Sequence, residues 1–187
     1  MSPKPVKISR LSNETRVKVT LTLGAGGRFK GKLGEPLLTH LLETFARYSG
    51  TDITIESEGD ERHHVSEDIA LTLGRALRRA LPESGVARFG EATVPMDEAL
   101  VQVALDLVDR PYYSSDLPRS SMAEHILRSL TNEARITFHQ RTLRPGEEHH
   151  VLEASFKAFG LALKKALEPS SRGFSLKGRV DWEEESF

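Results

Sequence analysis

The chain has 187 residues, enough for one domain or two small fused units to bury a sizeable core. Its 26 basic and 27 acidic residues leave a net charge of -1, which gives no reason to expect nucleic acid or an anionic membrane as a partner. With no cysteine, a disulfide framework and any thiolate metal site are excluded, and histidine and carboxylate are the strong metal ligands that remain.

The opening MSPKPVKISR carries charge and two prolines but no apolar core of a secretory signal. No apolar run approaches the roughly 20 residues of a membrane helix, so a cytoplasmic protein without membrane association is expected. From Arg16 to Leu23, RVKVTLTL alternates and puts Val17, Val19, Leu21 and Leu23 on one face of a half-buried strand. GAGG at Gly24 to Gly27 reads as a turn rather than a phosphate cradle, because no helix opens directly after it. Pro36 introduces a helix, LLTHLLETFARYSG, ending near Gly50. A short strand, TDITIES, leads into a helix that begins HHVSED.

The second half repeats that order. Strands are expected at ARFGEATV and LVQVALDLV, a helix at SMAEHILRSLTNE, a strand at ARITFHQR, and then a helix beginning HHVLEA. His63 to Leu81 and His149 to Leu167 align without a gap at an offset of 86, with nine identities in 19 positions. THLLETF at Thr39 parallels EHILRSL at Glu124, and DITI at Asp52 parallels RITF at Arg135. Two tandem repeats of a sheet-plus-helices unit follow, about 8–85 and 86–178, in one α+β domain with helices on one face of antiparallel sheet. DWEEESF, within 179–187, reads as an acidic tail.

The duplicated H-H-x-x-E carries the chemistry. Residues four apart on a helix share a face, whereas neighbours diverge by about 100°. His63 with Glu67, and His149 with Glu153, can therefore reach one metal each, while His64 and His150 point elsewhere. Two such motifs suit a two-metal site with nitrogen and oxygen ligands, of the kind manganese, iron or zinc accept. Of the other histidines, His40 lies on a helix and His139 on a strand. His125, the positional partner of His40, reads as an ordinary helix histidine. Arg88, Arg110, Lys157, Ser175 and Lys177 could together hold a phosphate beside the metals. The doublets Arg78-Arg79 and Lys164-Lys165 read as solvated helix faces.

HHVSED, RFGEATVPMDEAL, DLVDRPYY and HHVLEASFKAFGLAL resemble the imidazoleglycerol-phosphate dehydratase family, over about Ile8 to Gly178. The resemblance implies a hydro-lyase of histidine biosynthesis that dehydrates imidazoleglycerol phosphate to imidazole acetol phosphate. It also implies a duplicated α+β fold, two manganese ions per site and a homo-oligomer of 24 subunits with sites formed between neighbours. The family's metal ligands carry over onto His40, His63, His64, Glu67, His139, His149, His150 and Glu153. Its substrate contacts carry over onto Glu14, Arg88, Arg110, Lys157, Ser175 and Lys177. Among the catalytic carboxylates, Glu14 is the candidate for acid-base work, with Glu67 and Glu153 mainly ligands. The sequence departs from the family at Thr39, Thr44, Tyr48, Arg62 and Leu176, and its loop before His63 is shorter. Thr39 and Tyr48 favour the alternative, a divergent metal-binding paralogue that serves in assembly, whereas Glu14, Lys157 and the Ser175–Lys177 pair favour the dehydratase.

Overall fold

Alternation sets the strands. In the computed structural model, which describes residues 4–31 and 33–171, β2 (Thr15–Thr22) buries Val17, Val19 and Leu21 completely and turns Arg16 and Lys18 to solvent. β2 pairs antiparallel with β1 (Val6–Leu11) on one side and with β4 (Asp52–Gly59) on the other. A two-residue strand, β3 (Phe29–Lys30), closes the sheet in the order β1-β2-β4-β3. β3 runs parallel to β4, so the sheet is mixed rather than antiparallel throughout. The reason is the connection: α1 (Pro36–Ser49) crosses between β3 and β4, and a crossover helix returns the chain in the same direction.

The second half builds the same sheet. β5 (Phe89–Met96), β6 (Ala99–Asp106), β7 (Tyr112–Ser114) and β8 (Thr137–Arg144) stand in the order β5-β6-β8-β7. Here α3 (Met122–Glu133) is the crossover, and β7 is parallel to β8. Each half ends in a helix of 19 residues, α2 (Arg62–Ala80) and α4 (Glu148–Ala166). α2 covers β1, β2 and β4 of the first sheet, and α4 covers β5 and β6 of the second.

The crossover helices then change sides. α1 packs along α4, and α3 packs along α2, so each short helix lies against the long helix of the other half. Phe45 of α1 packs tilted and Phe138 of β8 edge-on against Phe159 of α4 in this junction, with ring centroids 4.6 Å and 5.1 Å from Phe159, and all three are fully buried. Each such ring contributes roughly 1.5–3 kcal/mol by leaving water. Close approach of the helices depends on glycine at equivalent points. A methyl group on Gly160 would stand 2.9 Å from Tyr48 Cβ, and one on Gly74 would stand 2.5 Å from the Leu130 carbonyl oxygen.

Candidate active site

The exchange of helices assembles the site. His149 and Glu153 lie one turn apart at the start of α4, with His149 Nε2 3.3 Å from Glu153 Oε2. α1 brings His40 to them: its Nε2 is 3.0 Å from the same oxygen, and its ring stacks on that of His149 at 5.7 Å. The other pairing repeats the arrangement. His63 and Glu67 open α2, and α3 brings His125, whose ring stacks on that of His63 at 5.6 Å and whose Nε2 is 3.7 Å from Glu67 Oε1. In each triad the three donor atoms lie within 4.8 Å of one another. Two imidazoles and one carboxylate per triad form the nitrogen-oxygen donor set that manganese, iron or zinc takes.

The second histidine of each pair points elsewhere, as helix geometry requires. His64 Nδ1 is 3.1 Å from Asp60 Oδ1 and 3.8 Å from Glu14 Oε2. His150 Nδ1 is 3.1 Å from Glu98 Oε2, and its Nε2 is 3.4 Å from Asp97 Oδ2. The hydrogen bond to Asp60 raises the pKa of His64, and the bond to Glu98 raises that of His150. Burial works against ionisation of Glu153, yet the hydrogen bonds of His40 and Lys157 outweigh it and hold the carboxyl below its ordinary value. Lys157 Nζ reaches Glu153 Oε1 at 2.8 Å and lies 5.9 Å from the ring centre of Tyr48.

Two histidines exchange the places expected of them. His139, expected as a ligand, lies exposed on β8 with its ring 5.3 Å from that of Tyr112, and it joins none of the four clusters found among the described residues. Strand alternation is the cause: Phe138 and Gln140 face the core, so His139 must face away from it. His125, expected to be an ordinary helix residue, enters the second triad instead. The signal for it was present, because His40 and His125 occupy matching places in the aligned repeats. Asp60, Asp97 and Glu98 were not singled out as site residues, and only the fold brings the two hairpin residues of this set to His150.

The remaining described site residues lie on separate segments of the fold. Glu14 sits in the hairpin between β1 and β2, where its carbonyl oxygen accepts from the Asp60 N–H at 3.1 Å and its side chain is 60% exposed. Arg88, with φ of 71°, grips Asp106 by two hydrogen bonds of 2.6 and 2.8 Å. Arg110 is exposed after β6. Thr39 turns its hydroxyl to the Glu35 carbonyl at 2.9 Å. Ser175, Lys177 and the acidic tail lie outside the described residues.

Residues 34–163 match the family model of imidazoleglycerol-phosphate dehydratase. The imidazoleglycerol-phosphate dehydratase of Moorella thermoacetica is 39% identical, over 91% of this chain and 95% of its own length. The chloroplastic enzyme 1 of Arabidopsis thaliana is also 39% identical, and the match spans 89% of this chain but 66% of that longer protein. Among solved structures, the dehydratase of Pyrococcus furiosus superposes with a TM-score of 0.81 at 38% identity, over 92% of this chain and all of that one. That of Staphylococcus aureus gives 0.80 at 30% identity, over 89% of this chain and all of the other.

Proposed function

The chain belongs to the imidazoleglycerol-phosphate dehydratase family, and from that premise we propose that it removes water from imidazoleglycerol phosphate to give imidazole acetol phosphate in histidine biosynthesis. The observation that carries the reading at the level of chemistry is the pair of His-His-Glu triads, His40, His149 and Glu153 in one and His125, His63 and Glu67 in the other. They would hold two divalent cations, manganese first among them. Each triad offers three donors from one chain, which leaves room for ligands from a neighbouring copy and suits a homo-oligomer of up to 24 subunits. His64 and His150 are the candidates for that exchange between copies.

The reaction must take a proton from a carbon that has no carbonyl beside it and expel a hydroxyl from the carbon attached to the ring. A bound cation supplies polarisation of the imidazole, so that the ring can accept charge. Glu14 would move the proton at the glycerol chain, a role supported by its exposed carboxylate, its position beside His64 and the backbone hydrogen bond that ties it to Asp60. Arg88, Arg110, Lys157, Ser175 and Lys177 would hold the phosphate. The grip of Asp106 on Arg88 fixes the direction of that guanidinium before substrate arrives, which lowers the ordering cost.

The test is turnover by protein stripped of metal and then reloaded with manganese. Manganese-dependent imidazole acetol phosphate supports the dehydratase. Manganese binding without product overturns it in favour of the assembly paralogue, the reading that the changes at Thr39 and Tyr48 support.

A further inference from the structure

The two repeats secure their second histidine by different carboxylates. In the first, Asp60 Oδ1 accepts from the backbone N–H of Glu61, the N-cap of α2, at 2.6 Å, and lies 3.1 Å from His64 Nδ1. In the second, the equivalent N-cap is Glu147, 86 residues on, and its N–H donates to Glu98 Oε1 at 2.5 Å. His150 Nδ1 lies 3.2 and 3.1 Å from the two oxygens of that same Glu98. The position matching Asp60 is Gly146, which has no carboxylate to offer. A Cβ there would crowd Glu98 Oε1, so the glycine leaves room for that carboxylate.

We propose that Glu98 is the positioning carboxylate of His150, doing from the β5–β6 hairpin what Asp60 does for His64 from the helix cap. Glu98 immediately precedes β6 as Glu14 immediately precedes β2, so these two glutamates are topological counterparts. Asp60 relieves Glu14 of holding a histidine and leaves its carboxylate open to substrate. Gly146 passes that task to Glu98. A carboxylate at Nδ1 accepts the ring proton there, which leaves the Nε2 lone pair free for a cation and sets the plane of the ring.

The inference rests on the metal reading above, and the test separates the two. Equilibrium Mn2+ binding to the full chain is followed by the paramagnetic resonance of the free ion, with circular dichroism as the check on folding. Parent protein that binds no Mn2+ overturns the metal reading itself. Given parent binding, Glu98→Ala weakens affinity at the weakest site by about 10- to 100-fold, the usual effect of removing a ligand's hydrogen-bond partner. In a His150→Ala background the same change adds nothing, because Glu98 acts through that ring. Glu98→Ala combined with Gly146→Asp moves the carboxylate to the place the first repeat uses, and restores most of the affinity. Gly146→Ala, whose methyl group would crowd both the Glu98 carboxylate and Ala99 Cβ, shows the same loss and the same dependence on His150 if Glu98→Ala does not fold. Parent-like affinity in folded Glu98→Ala overturns the proposal, as does a loss that persists undiminished without His150, or a double variant no tighter than Glu98→Ala alone.

Discussion

Gly74→Ala pits helix propensity against packing. Alanine is favoured over glycine inside a helix by about 1 kcal/mol, so propensity alone raises stability. The added methyl group, however, would stand 2.5 Å from the Leu130 carbonyl oxygen, 2.9 Å from Glu133 Cβ and 3.2 Å from the Ala134 nitrogen. Carbon–oxygen contacts begin at about 3.3 Å, so α2 and α3 must part by about 0.8 Å at that point. The nearest obstacle is main chain and cannot rotate aside, which places the cost in the upper part of the about 1–3 kcal/mol typical of overpacking. A gap of this size also forfeits about a quarter to a half of the dispersion between facing side chains. The net effect is a destabilisation of about 1–2 kcal/mol, or a Tm lower by about 2–8 °C for a chain of this length. Thermal melts at matched protein concentration measure it, since any association between copies would make Tm concentration-dependent. A Tm equal to the parent's or above it would refute the reasoning, because propensity would then have outweighed the helix contact.

His125→Ala lowers the number of Mn2+ ions bound per chain, whereas His139→Ala leaves it unchanged; metal analysis of the two variants decides between the fold and strand-level expectation. Glu14→Gln abolishes product formation while Mn2+ content and sedimentation coefficient stay at parent values, and unchanged turnover would remove Glu14 from the chemistry. Burial pushes the Tyr113 phenol from 10.0 up to about 12. The folded chain therefore keeps a proton that the unfolded chain releases between those values, and stability falls as pH rises through the window. Tyr113→Phe flattens the fall of Tm from about pH 10 upward, and an equal slope in both proteins would count against the burial argument.

Much of the fold was legible because its elements are long and periodic. Val17, Val19 and Leu21 announce β2, Pro36 and Gly50 bracket α1, and the two His-His helices declare the repeat. β1 escaped because it sits at the sheet edge, where only Val6 and Ile8 among its residues are half-buried and no full alternation is required. β3 and β7 span two and three residues, too short for any period to show. At the site, i to i+4 spacing sufficed to separate His63 and Glu67 from His64. It could not reveal that α1 and α3 pack on the long helix of the opposite half. That tertiary exchange brings His125 in, and strand alternation leaves His139 out.

The same exchange means that no repeat holds a triad of its own. Cut between Leu81 and Val86, the first segment would keep His63 and Glu67 but lose His125, and the second would keep His149 and Glu153 but lose His40. Two copies of one repeat, related by a twofold axis, would rebuild both triads at once, each copy lending its short helix to the other. Covalent fusion removes the concentration dependence of that pairing and frees the two hairpins to diverge, one leaving Glu14 exposed and the other turning Glu98 onto the protein's own histidine.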